Sequence, residues 1–127
     1  MLAWIMINPA QVRHLVTGIP GATDESGDDR LAFSCGERGF AWSFMQRDTP
    51  KKPRRPNLDV LAISCPLEQK ELLVEVAPHI YFDDDHYRGY PAVLTRLAAI
   101  DEAELTERLH AAFAFQAARP PKRPRKR

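Results

Sequence analysis

Arg30 to Phe44 read RLAFSCGERGFAWSF, and this stretch decides the fold. Leu31, Phe33 and Cys35 alternate with Ala32 and Ser34; Phe40, Trp42 and Phe44 alternate with Ala41 and Ser43. A two-residue apolar period is the mark of a strand, so residues 31–35 and 40–45 are predicted strands. Phe40, Trp42 and Phe44 are expected on one face. Gly36-Glu37-Arg38-Gly39 reads as a tight connection, which predicts an antiparallel hairpin. A third strand is expected at residues 58–64, where Leu58, Val60, Leu61, Ala62 and Ile63 form a nearly continuous apolar run of the kind found in central, two-sided positions.

Working outward, residues 46–57 hold Pro50, Pro53 and Pro56 among Lys51, Lys52, Arg54 and Arg55. Prolines lack the donor a sheet needs, so this segment is predicted to be an extended basic loop at a hairpin tip. Upstream, Asn8 and Pro9 open a helix whose Val12, Leu15, Val16 and Ile19 share a face, and Gly18 with Pro20 ends it. Residues 22–29 are polar and acidic, hence loop. Downstream, a second helix is predicted from Pro66 to about Ala77, with Leu72, Leu73 and Val76 inward. A short strand at 80–82, a turn-rich loop at 83–91 and a strand at 92–97 follow. The last helix has Asp101 as cap, Glu104 completing a variant capping box, and a stripe of Leu105, Leu109, Ala112 and Phe113. Hairpin-linked strands with helices between groups indicate an α+β domain, an antiparallel sheet packed by helices.

The chain has 127 residues, enough for one core, and its 44% hydrophobic content is ordinary for a globular protein. No apolar run is long enough for a membrane span, and residues 1–7 lack the flanks of a signal peptide. Cys35 and Cys65 belong to no C-x-x-C motif, so they are expected to be free thiols in a cytoplasmic protein. The formal charge of +1 conceals an asymmetry. Lys51, Lys52, Arg54 and Arg55 form one basic cluster, and Lys122, Arg123, Arg125, Lys126 and Arg127 form another. Setting these nine aside leaves nine cations against 17 acids, an acidic body with two concentrated basic appendages.

The string YFDDDHYRGYPAVLTRLAAID at residues 81–101, followed by EAELTERLHAAF, resembles the C-terminal signature of the MmcQ/YjbR family. VRHLVTGIPGATDE at 12–25 resembles its first helix, and RLAFSCGERGFAWSF its first hairpin. The resemblance covers residues 9–118 and is most specific at 86–97. Ala92 departs from it, since an aromatic residue often stands there, and the basic loop is longer than usual. The resemblance implies a YjbR-like two-layer α+β domain whose strand loops form a double-wing arrangement proposed to bind DNA. Residues 1–8 are then an N-terminal extension and 119–127 a basic tail expected to be disordered.

Other chemistry has less support. The run Asp83-Asp84-Asp85-His86 offers hard-cation ligands, but consecutive residues seldom converge on one ion, so no metal is expected. Cys65, before a predicted helix start, is the sole candidate nucleophile, and the spacing to His79 or His86 supports neither as its base. No glycine-rich phosphate loop is present, and no catalytic residue or cofactor is expected. Lysine and arginine clusters neutralise phosphates without reading sequence. The expected function is therefore mostly non-specific DNA binding, by a monomer, through Lys51, Lys52, Arg54, Arg55 and the tail residues Lys122, Arg123, Arg125, Lys126 and Arg127. The alternative is a non-enzymatic accessory domain whose basic segments serve solubility or meet an acidic protein partner.

Overall fold

The structure, a computed structural model, describes residues 6–120. Its elements in chain order are α1 (Pro9–Thr17), β1 (Ala22–Asp24), β2 (Ala32–Cys35), β3 (Arg38–Gln46), β4 (Arg55–Ser64), α2 (Leu67–Val76), β5 (Tyr81–Phe82), β6 (Ala92–Arg96) and α3 (Glu102–Ala118). The six strands form one antiparallel sheet in the order β1-β2-β3-β4-β6-β5. This is the expected α+β architecture. The expected loop at 22–29 contributes the short edge strand β1, held by its pairing to β2 rather than by any apolar pattern of its own.

The main core fills one face of the sheet. Val12 and Val16 from α1 and Leu105, Leu109 and Ala112 from α3 meet Phe33, Phe40, Leu61, Ile63, Tyr81 and Val93. Asn8 caps α1 with a full capping box shared with Gln11, and Ile7 before it is buried in the main core. At α3 the Asp101 side chain accepts from the Glu104 backbone N–H, as expected. The Glu104 carboxylate, however, accepts from the buried Tyr81 hydroxyl instead of closing the box.

Two expectations about facing are corrected. Phe40 does not share a face with Trp42 and Phe44. The β2–β3 register shifts between Phe33 and Ser34, whose partners are Ala41 and Gly39, leaving Phe40 as the inserted residue of a bulge. The bulge interrupts the two-residue alternation, so Phe40 and Ala41 both enter the main core and Trp42 goes to the opposite face. In α2, Leu72 and Val76 are not inward: they are 56% and 65% exposed. The residue that α2 buries is Lys70.

The loop at the hairpin tip is shorter than expected, because Gln46 and Arg55–Asn57 belong to the strands. Pro56 lies opposite Met45, near the start of β4, where the pairing to β3 is irregular and steps from Leu61 to Asn57. At the other end of β3, Gly36 takes the left-handed conformation (φ +61°) that a two-residue turn between Cys35 and Arg38 demands.

Candidate nucleic-acid interface

Among the described residues, no helix contributes to the apolar cluster on the second face of the sheet. That face carries Trp42 and Phe44 from β3, Val60 and Ala62 from β4, Leu94 from β6 and Phe82 from β5, and the segment 83–91 folds over part of it. That segment plants Tyr87 on the sheet. The Trp42 indole N–H donates to the Tyr87 hydroxyl at 2.8 Å, and the two residues join Phe44, Phe82 and Tyr90 in a chain of edge-to-face rings. Centroid separations run from 5.9 to 6.4 Å. The Arg96 guanidinium lies over Phe82, 4.2 Å from its centroid.

Lys70 holds the segment in place. Its ammonium, on a side chain 4% exposed, donates to the carbonyls of Tyr87 (2.6 Å) and Tyr90 (2.9 Å) and pairs with Asp83 at 3.0 Å. Three donors thus meet three acceptors, which is what makes a buried lysine tolerable. The remaining carboxylates of the run diverge: Asp84 accepts from the Tyr87 backbone N–H and Asp85 pairs with Arg88. Gly89, at φ +75°, lets the chain reverse between Arg88 and Tyr90. Among the described residues no group of three or more His, Cys, Asp or Glu side chains is placed to hold a metal ion.

Trp42, His86, Tyr87 and Tyr90 line an open cleft of about 400 Å³. Tyr90, 48% exposed, forms its lip. Burial pushes the Tyr87 hydroxyl above its ordinary pKa despite the opposing bond from Trp42, so it stays protonated at neutral pH. A smaller cavity of about 220 Å³ adjoins at Tyr90 and is lined by Arg38, Gly39, Gln116 and Arg119. Arg38 donates to the Pro120 carbonyl and Arg119 to the Gln116 side chain. Gln116 is itself buried and donates to Ser64 at 3.0 Å, a bond that ties the end of α3 to β4.

The expected basic residues that the structure describes, Lys51, Lys52, Arg54 and Arg55, fall at one end of β3. Lys51 and Lys52 sit exposed in the loop that follows it. Arg54 donates to the Met45 carbonyl, and its charge reaches Tyr87. Arg55 is in β4 rather than the loop, in a two-bond pair with Asp48. That pair holds the Asp48 carboxyl below its usual range. Lys122, Arg123, Arg125, Lys126 and Arg127 lie outside the described residues; the described chain ends at Pro120, against Arg38 at the beginning of β3. The aromatic face spans the strand between these ends. Sequence reasoning did not single out the cleft, although Trp42 and Phe44 in the alternation and Tyr87 and Tyr90 in the turn were its signal. Lys70 had none, being one charged residue in a charged helix.

Cys65 is buried in the main core, where burial pushes its thiol up to about 11. It is a poor nucleophile there. Cys35 and Cys65 are both free. No described helix is long and apolar enough to cross a membrane.

In fold, this sheet with its three helices is similar to a solved DUF419 domain, DUF419 being the description attached to MmcQ/YjbR-like proteins. The crystal structure of Deinococcus radiodurans protein DR2400, a DUF419 domain, superposes with a TM-score of 0.64 over 89% of this chain and 80% of that one, at 18% identity. In sequence the chain is similar to the uncharacterised proteins Rv2570 of Mycobacterium tuberculosis and Mb2600 of Mycobacterium bovis. Each is 29% identical over 113 residues, covering 84% of this chain and 85% of the relative. No family model matches the chain.

Proposed function

We propose that this protein is an MmcQ/YjbR-like, non-enzymatic DNA-binding domain that contacts phosphates with little regard to sequence. The observation that carries the reading is the exposed basic loop at one end of β3 with the last described residue, Pro120, held at the other. The loop bearing Lys51 and Lys52 follows Gln46, and the chain leaves for its basic tail beside Arg38. At about 3.3 Å per residue, β3 separates them by roughly 26 Å, a span that several phosphates of one nucleic acid would cover. Positive charge at both ends of an aromatic face supplies affinity through counterion release. The reading includes a monomer in the cytoplasm, a compartment suited to two free thiols. The resemblance at residues 86–97 and the shared fold support the family assignment. Salt-titrated DNA binding by the full chain and by a Lys51→Gln, Lys52→Gln variant tests it.

A second reading has its own observation. Leu72 and Val76, one turn apart, leave an apolar stripe exposed on α2. An accessory domain that docks a protein partner would use that stripe, and the basic segments would then be solubilising.

A further inference from the structure

We infer that the cleft formed by Trp42, His86, Tyr87 and Tyr90 seats an unpaired nucleobase, so that the DNA this domain prefers is single-stranded. The inference rests on the DNA-binding reading and adds to it a site and a strand form.

The rings supply the first reason. Trp42 and Tyr90 stand at 78° to one another and Tyr87 and Tyr90 at 89°, so these rings do not stack face to face and cover each other. A flat guest can lie against one ring and meet the edge of the next. Base-on-aromatic stacking of this kind tolerates any base, because every base has a π-face.

The second reason is polar. The Tyr87 hydroxyl accepts from Trp42, while its own proton has no acceptor among the described residues. A protonated donor in the cleft wall can meet the carbonyl or ring nitrogen that every base presents once its pairing partner is gone. His86 at the rim offers a further donor or acceptor.

Charge then selects the guest. Aromatic clefts also attract cations. Here Arg38 and Arg119 border the adjoining cavity at Tyr90, both donating to neutral acceptors, and Arg54 approaches Tyr87 from the loop side. The Asp84 carboxylate is engaged by the Tyr87 backbone N–H. Guanidinium groups on two sides oppose a cationic guest and suit one with an anion on each side of a flat ring. A nucleotide within a strand has that form. A base inside a duplex does not, since its faces are covered by its neighbours and its edge by its partner.

The test is the affinity of the full-length protein, at one fixed salt concentration, for three fluorescently labelled DNAs of equal length: a thymidine strand, a strand of abasic sites, and a duplex. The thymidine strand should bind about tenfold or more tightly than the abasic strand or the duplex. Tyr90→Ala removes a ring at the exposed lip and should abolish that preference while leaving the salt dependence intact, with the fold checked by circular dichroism. Equal affinity for the thymidine and abasic strands would overturn the base seat and leave phosphate binding standing. A Tyr90→Ala protein that keeps the preference would also overturn it. Absence of binding to all three would remove the DNA-binding reading and this inference together.

Discussion

The Lys70 ammonium donates to the Tyr87 carbonyl at 2.6 Å, from a helix 17 residues earlier in the chain. It thereby fixes the residue whose hydroxyl meets Trp42 on the sheet. One buried cation thus sets the wall of the aromatic cleft. Lys70→Met keeps the stem's volume and removes the charge, leaving the Tyr87 and Tyr90 carbonyls with only their backbone donors, the Tyr90 and Ala92 N–H groups, and unpairing Asp83. Losing hydrogen bonds made by a charged donor typically costs about 1.5–3 kcal/mol. Urea denaturation of the variant should show a loss of that order. A loss under about 1 kcal/mol would mean the segment 83–91 is held by its other contacts.

The corrected facing of α2 separates two leucines. Leu109 is fully buried on α3, so Leu109→Ala should cost about 2–5 kcal/mol. Leu72 is 56% exposed, and Leu72→Ala should stay within about 0.5 kcal/mol. Thermal melts of the two variants side by side decide the matter. A large loss at Leu72 would place that helix the other way round.

Much of this fold was legible because its signals are local. The Asn8-Pro9 start of α1, the alternation in β2, the Asp101 cap and the Leu105–Leu109 stripe each specify an element from neighbouring residues alone. What escaped was set by tertiary pairing. The bulge at Phe40 is invisible to a count of alternating residues, yet it decides that Trp42 and Phe44 leave the core and line an open face. Edge strand β1 exists because β2 offers it hydrogen bonds. Lys70 is buried because three acceptors from a distant turn surround its ammonium. The basic loop was readable as charge, but not the partition of that charge, in which Asp48 takes Arg55 while Lys51 and Lys52 stay exposed.

Burial of Cys65 carries a pH signature. Its thiol titrates at about 11 when folded against 9.0 as the ordinary value, so the folded state holds its proton longer than the unfolded chain does. The unfolded state therefore loses a proton first as pH rises, and stability falls between about pH 9 and 11. Below pH 9 both states are protonated and Cys65 contributes no slope. Cys65→Ala should flatten the alkaline decline, apart from a uniform packing loss. An unchanged slope in pH-dependent denaturation would show that other groups carry it, with Tyr81 and Tyr87, both raised chiefly by burial, next in order.

The central claim is that the exposed cations flanking β3 bind phosphate. Its most direct test is the slope of log affinity against log salt for DNA, measured on the full chain, on the Lys51→Gln, Lys52→Gln variant and on Arg55→Gln. Each lost phosphate contact lowers the slope by about 0.7–0.9, depending on strand form. The double-lysine variant should therefore lose about 1.5. Arg55→Gln should lose almost none, since Arg55 is already paired with Asp48. Binding that ignores salt, or a double-lysine variant with an unchanged slope, would contradict the account.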